Sequence, residues 1–158
     1  MTALFLDTSA LVKIYITEPG STWITAQCDP GGKNIIFISQ ATHVEAVATF
    51  CRKAREINSA LRITLTKRDE LILTLRQDTR DQYSSTNVTK TIYKHAGDLC
   101  RIHQLRAYDA VQLACALVTR TKLVNAFTSA PIFVSADNKL LDVAIQEGFV
   151  VDNPNNHP

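Results

Sequence analysis

A chain of 158 residues, 46% hydrophobic and 20% charged, has the make-up of one globular domain that can bury a core without disulfides or a structural metal. The same figures exclude an intrinsically disordered chain. A formal charge of +2 allows a polyanionic partner without demanding one, since strong nucleic-acid binders carry a clearer basic excess.

Ala3 to Leu6 is a short apolar run ending at Asp7, and Thr8 and Ser9 offer caps for a helix carrying Leu11, Val12, Tyr15 and Ile16. Glu18-Pro19-Gly20-Ser21 breaks that helix, Ser21 caps a second through Trp23, Ile24 and Cys28, and Asp29-Pro30-Gly31-Gly32 is a loop. Asn34 to Ile38 is β-branched and apolar, a buried strand, and Ser39 caps a helix with Val44, Val47, Ala48 and Cys51 on its core side. From Ser59 to about Gln82 the apolar positions Leu61, Leu65, Ile72 and Leu75 predict a charged helix, closed by Ser84-Ser85-Thr86-Asn87 as punctuation. Two more helices are expected, from about Thr89 to His103 and from Arg106 to Leu123, the second apolar almost all round. Pro131 to Val134 reads as a strand, Ser135 as the start of a helix through Leu140, Leu141, Ala144 and Ile145 to Gly148, and Phe149 to Val151 as a last short strand. Strands alternating with helices imply a three-layer α/β/α domain over residues 1–152, its short parallel sheet flanked by helices and followed by a frayed tail, 153–158.

Cys28, Cys51, Cys100 and Cys115 form no C-x-x-C pair and read as small core residues in a reducing compartment. With no apolar run long enough for a bilayer and no signal-peptide pattern, the expected location is the cytoplasm. Arg52, Lys53, Arg55, Arg62, Lys67 and Arg68 crowd the middle of the chain, as a solvated helix face or an RNA track. His43, His95, His103 and His157 are scattered and suggest no site.

Four acids stand out. In open α/β sheets ligands bind at the carboxyl ends of the strands, where Asp7 and Asp137 fall. Each alone reads as a cap or turn aspartate, yet Thr8, Ser9 and Ser135 supply caps nearby, leaving the acids surplus to that need. Glu45 in Val44-Glu45-Ala46-Val47 and Asp109 in Tyr108-Asp109-Ala110-Val111 sit inside apolar helical stretches, where an ionised carboxylate needs a partner. Arg52 or Arg106 is one source of that partner, and a metal ion is another. Carboxylates ~4 Å apart repel by about 4 kcal/mol at an effective dielectric near 20, so a cluster of them draws protons or cations. Hard oxygen donors without grouped His or Cys favour magnesium or manganese over zinc.

Asp7-Thr8-Ser9-Ala10-Leu11-Val12-Lys13, Glu45, Leu105-Arg106-Ala107-Tyr108-Asp109-Ala110-Val111-Gln112-Leu113-Ala114 and Ser135-Ala136-Asp137-Asn138-Lys139-Leu140-Leu141, in that order, resemble the PIN domain, and within it the VapC-type toxins of toxin–antitoxin pairs. The resemblance implies a metal-dependent endoribonuclease in which Asp7, Glu45, Asp109 and Asp137 line one pocket and bind Mg²⁺ or Mn²⁺, with Ser9 near the metal or phosphate. It also implies a homodimer silenced by an antitoxin protein lying in a helical groove, although the stretch 55–91 is longer than in compact members. The alternative is a PIN-like module that binds RNA or protein without cleaving. Haloacid-dehalogenase-like phosphatases also open with a strand ending in Asp, but they carry a second Asp two residues on, where this chain has Ser9. Trp23, Tyr15, Tyr83 and Phe127 are candidates for base stacking that read as easily as core or rim, Trp23 as core.

Overall fold

The structure, a computed structural model, describes residues 2–126 and 128–157. Strands β1 (Ala3–Leu6), β2 (Ile35–Ser39), β3 (Tyr83–Thr86), β4 (Ile132–Val134) and β5 (Val151–Asp152) form one sheet in the order β3-β2-β1-β4-β5. Every pairing is parallel. Helices α1 (Thr8–Tyr15), α2 (Ser21–Gln27), α3 (Gln40–Ala54), α4 (Leu65–Asp81), α5 (Lys90–His103), α6 (Ala107–Asn125) and α7 (Asn138–Gln146) lie between the strands in the chain. Successive strand residues point to opposite faces, so the apolar runs of β1, β2 and β4 supply two cores at once. Phe5 and Phe133, paired in register and stacked with ring centroids 5.8 Å apart, enter a core built from α5, α6 and α7. Leu4, Leu6, Ile36, Ile38 and Val134 enter the other, under α1 to α4. The sheet is thus the middle layer of an α/β/α sandwich.

The chain starts at the centre of the sheet, works outward through β2 to β3, and returns by α5 and α6 to place β4 on the other side of β1. Strand order therefore reverses between β1 and β4, the position at which open α/β sheets leave a crevice beyond their strand ends. Helix α6 can pass close to the sheet because residues Ala110 to Leu117 are all buried and half of them are small.

Several expectations are corrected. Val44 and Ala48, read on the core side of α3, are exposed, and the residues that α3 buries are Thr42, Ala46 and Phe50. Ser84-Ser85-Thr86, read with Asn87 as punctuation, belongs to strand β3; as an edge strand paired only with β2, it tolerates outward-facing serines. The helix expected from Ser59 begins at Leu65, where the Thr64 side chain accepts from the Lys67 N–H and supplies the cap that Ser59 does not. Within the tail, Asn153 to His157 are folded back rather than frayed, and Pro158 lies outside the described residues. Asn153 is buried and donates from Nδ2 to Asn138 Oδ1 at 2.7 Å, Pro154 to Asn156 form a 3-10 helix, and the His157 ring stacks on Trp23 at 4.2 Å. Gly20, at φ 85°, starts α2 beside Pro154, where a Cβ would stand 2.2 Å from the Pro154 carbonyl oxygen.

Candidate active site

Asp7 leaves β1 tethered to its neighbour, its N–H donating to the Val134 carbonyl at 3.0 Å. Its side chain caps α1: Oδ1 accepts from the N–H groups of Ser9 and Ala10, and Oδ2 accepts from Ser135 Oγ at 2.8 Å. Asp7 is only 5% exposed, and burial pushes its pKa from 3.8 to about 6 against the pull of these hydrogen bonds. Asp137 does the same for α7, its Oδ1 accepting from Lys139 and Leu140 N–H at 2.9 and 3.2 Å. The idea that nearby hydroxyls free the aspartates from capping is therefore reversed. The aspartates are the caps, because a carboxylate at a helix N-terminus gains from both the open N–H groups and the helix dipole.

The hydroxyls do other work. Ser135 Oγ, fully buried, donates to Asp7 and accepts from the Asp137 N–H at 3.0 Å. Ser9 Oγ accepts from the Ala136 N–H at 2.8 Å and lies 3.2 Å from Ser135 Oγ. Two acids 130 positions apart in the chain are thereby fixed to each other through two serines.

Glu45 and Asp109 come from facing helices. On α3 Thr42 and Glu45, and on α6 Asp109 and Gln112, are i, i+3 pairs, each presenting one side of its helix. Glu45 Oε2 accepts from Thr8 Oγ1 at 2.7 Å and from Gln112 Nε2 at 2.6 Å. Gln112 Nε2 also donates to Thr8 Oγ1 at 2.9 Å, and its Oε1 accepts from Thr42 Oγ1 at 3.1 Å. Among the described residues, neither Glu45 nor Asp109 forms an ion pair with an arginine. Half-buried Asp109 has its pKa raised by burial first and then by the charges of Asp137 and Glu45, against weaker opposing pulls from Arg106 and Lys139.

All four acids line one cavity of about 590 Å³, together with Thr8, Ser9 and Gln112 and with Lys13, Arg52, Lys53 and Arg106. Among the described residues no three acidic, histidine or cysteine side chains are gathered tightly enough to hold a metal ion as they stand. The acids share a space without closing into a cage. Repulsion opposes closure, and Asp7 and Asp137 each commit one oxygen to a helix cap.

Of the six mid-chain bases, Arg52 and Lys53 reach this cavity, while Lys67 and Arg68 pair with Glu70 and Asp69. Lys13 and Lys53 both contact Glu18, at 3.3 Å each, and Arg52 has no carboxylate partner among the described residues. None of Tyr15, Trp23 and Tyr83 lines the cavity; Tyr108 does, and Phe127 lies outside the described residues. Sequence reasoning missed Gln112 and Ser135 as site residues. The available signal for Gln112 was a polar side chain inside the apolar run of α6, three residues after Asp109.

A family model described as PIN domain matches residues 4–146. Two curated proteins, Ribonuclease VapC45 of Mycobacterium tuberculosis strain CDC 1551 and Ribonuclease VapC49 of Mycobacterium tuberculosis strain H37Rv, are each 33% identical to this chain over 120 residues, covering 74% of this chain and 76% of the relative.

Proposed function

The chain belongs to the PIN domain family, and on that premise we propose that it is a Mg²⁺- or Mn²⁺-dependent endoribonuclease, the toxin of a toxin–antitoxin pair, acting through Asp7, Glu45, Asp109 and Asp137. One observation carries the reading: acids from four separate segments line a single cavity at the β1/β4 crevice. The donor set fits a hard divalent cation. No thiol or imidazole lines the cavity, and the neighbouring charges that raise the Asp109 pKa are an excess that a cation relieves. Among the described residues Glu45 Oε1, Asp137 Oδ2 and both Asp109 oxygens carry no hydrogen bond and are free to serve as donors. When bound, such an ion supplies Lewis-acid stabilisation of phosphate charge and lowers the pKa of water.

The chain's own groups do the rest. Ser135 and the α1 N–H groups hold Asp7 in place, Glu45 orients the attacking water, and Ser9 keeps the Asp7 and Asp137 turns together. Arg52, Lys53 and Arg106 supply positive charge along the cavity for the RNA backbone. The four free cysteines suit a reducing cytoplasm. No helix among the described residues is long and apolar enough to cross a membrane. Exposed Leu65 and Leu73 on α4 support a surface covered by an antitoxin, and exposed Val44, Tyr93 and Tyr108 on α3, α5 and α6 support a homodimer face.

The test is cleavage of RNA by the purified chain with Mg²⁺ or Mn²⁺, run beside Asp109→Asn to exclude contaminating nuclease. Cleavage by the wild type alone is expected; equal activity in both preparations would defeat the proposal. The open arrangement of the acids favours the competing reading, an inactive RNA- or protein-binding module, which predicts RNA binding without metal-dependent cleavage.

A further inference from the structure

Gln112 is 2% exposed and sits where three helices meet at the cavity, yet it carries no charge. Its amide has two hydrogens and one acceptor oxygen: Nε2 donates toward Glu45 Oε2 and Thr8 Oγ1, 2.6 and 2.9 Å away, and lies 2.9 Å from Thr42 Oγ1, whose own hydrogen reaches Oε1 at 3.1 Å. Thr8 then gives its own hydrogen to Glu45 Oε2, so that oxygen receives two donors. Glu45 sets which way round the amide lies, because a carboxylate only accepts and a flipped amide would face a carbonyl oxygen toward it, while Thr42 Oγ1 touches both amide atoms.

We propose that Gln112 is a positioning residue that holds the Glu45 carboxylate by Oε2 and leaves Oε1 for a divalent cation or the attacking water, a role that rests on the nuclease reading above. The chemistry of the donor is the argument. A half-buried carboxylate among apolar helix neighbours needs a donor, and a lysine or arginine would satisfy that need while cancelling the negative charge that attracts a cation. A neutral amide satisfies the same need and leaves the charge whole. Ligands held by outer hydrogen bonds of this kind lose roughly 10- to 100-fold in metal affinity when the outer partner is removed.

The experiment titrates Mn²⁺ by calorimetry into the wild type, Gln112→Leu, Glu45→Gln and the double variant, with circular dichroism to confirm the folded fraction. Gln112→Leu is expected to weaken Mn²⁺ binding about 10-fold or more, in line with loss of an outer partner, and to add nothing further in the Glu45→Gln background. In RNA cleavage it lowers kcat and leaves KM unchanged. Thr42→Val, which removes only the hydroxyl that holds both atoms of the amide in place, is expected to weaken Mn²⁺ binding in the same direction by less, and it serves as the test if Gln112→Leu does not fold. Unchanged Mn²⁺ affinity in folded Gln112→Leu, additive effects with Glu45→Gln, or an unaltered Thr42→Val in place of an unfolded Gln112→Leu overturns the positioning role alone. A wild type that binds no Mn²⁺ overturns the nuclease reading and this role with it.

Discussion

Asp7 serves two purposes with one carboxyl group: it caps α1 and it stands at the carboxyl end of the central strand, buried. Its folded pKa of about 6 lies above the ordinary 3.8, so the folded state holds a proton that the unfolded chain has already released. The stabilisation from that proton is complete below pH 3.8 and is lost as pH rises through about 6, a change of about 3 kcal/mol. Metal-free wild type should therefore lose stability between pH 4 and 7 relative to Asp7→Asn in urea denaturation, and millimolar Mg²⁺ or Mn²⁺ should restore the wild type more than the variant. Parallel pH profiles for the two proteins would show that Asp7 is not held protonated. Ser135→Ala removes a hydrogen bond that holds this pKa down, so the acid limb of the RNA-cleavage profile should move to higher pH. That the four acids share one cavity was legible for two reasons: Glu45 and Asp109 are ionised groups among apolar neighbours, which demand a partner, and Asp7 and Asp137 fall at strand ends, although the idea that they are surplus to capping is reversed. Gln112 raised no such demand, being neutral, and Ser135 was hidden behind a capping role that the aspartates fill themselves.

At the level of elements, strands β1, β2 and β4 were legible because burial on both faces makes them continuous apolar runs. Strand β3 was not, since its sequence is mostly hydroxyl side chains and its pairing with β2 is a tertiary fact. One of those hydroxyls is structural: Thr86 Oγ1 lies 2.7 Å from Thr119 Oγ1, whose own hydrogen goes to the Cys115 carbonyl. Thr86→Val leaves the buried Thr119 oxygen without a donor and should cost about 1 kcal/mol in urea denaturation, with Thr86→Ser recovering most of it. Helix α4 buries Leu71 and Leu75 and exposes Leu65 and Leu73, so of the apolar positions read for it Leu75 is buried and Ile72 partly so, while Leu65 faces solvent and Leu61 is exposed ahead of the helix. Leu73→Glu should leave RNA cleavage intact and abolish growth rescue by a co-expressed cognate antitoxin; unimpaired rescue would place the antitoxin elsewhere.

For the whole molecule, the expected outcome is growth arrest when the chain is expressed in a bacterial host and tolerance of Asp109→Asn, scored by colony count. Asp109→Asn removes one of the repelling charges, so it should melt no lower than the wild type without metal. Equal toxicity of the two would remove the acids from the explanation. The strand order β3-β2-β1-β4-β5 bears on when such toxicity can arise. Synthesis is vectorial, and Asp7 emerges first while its partner strand β4, Ser135 and Asp137 come near the end. A nascent or prematurely released chain ending before β4 has Asp7, Glu45 and Asp109 but lacks the serine that holds Asp7 and the strand that closes the crevice. On the proposed toxin reading, a cell making this protein is shielded from its own half-finished copies, and the interval in which an antitoxin is needed opens only as translation finishes.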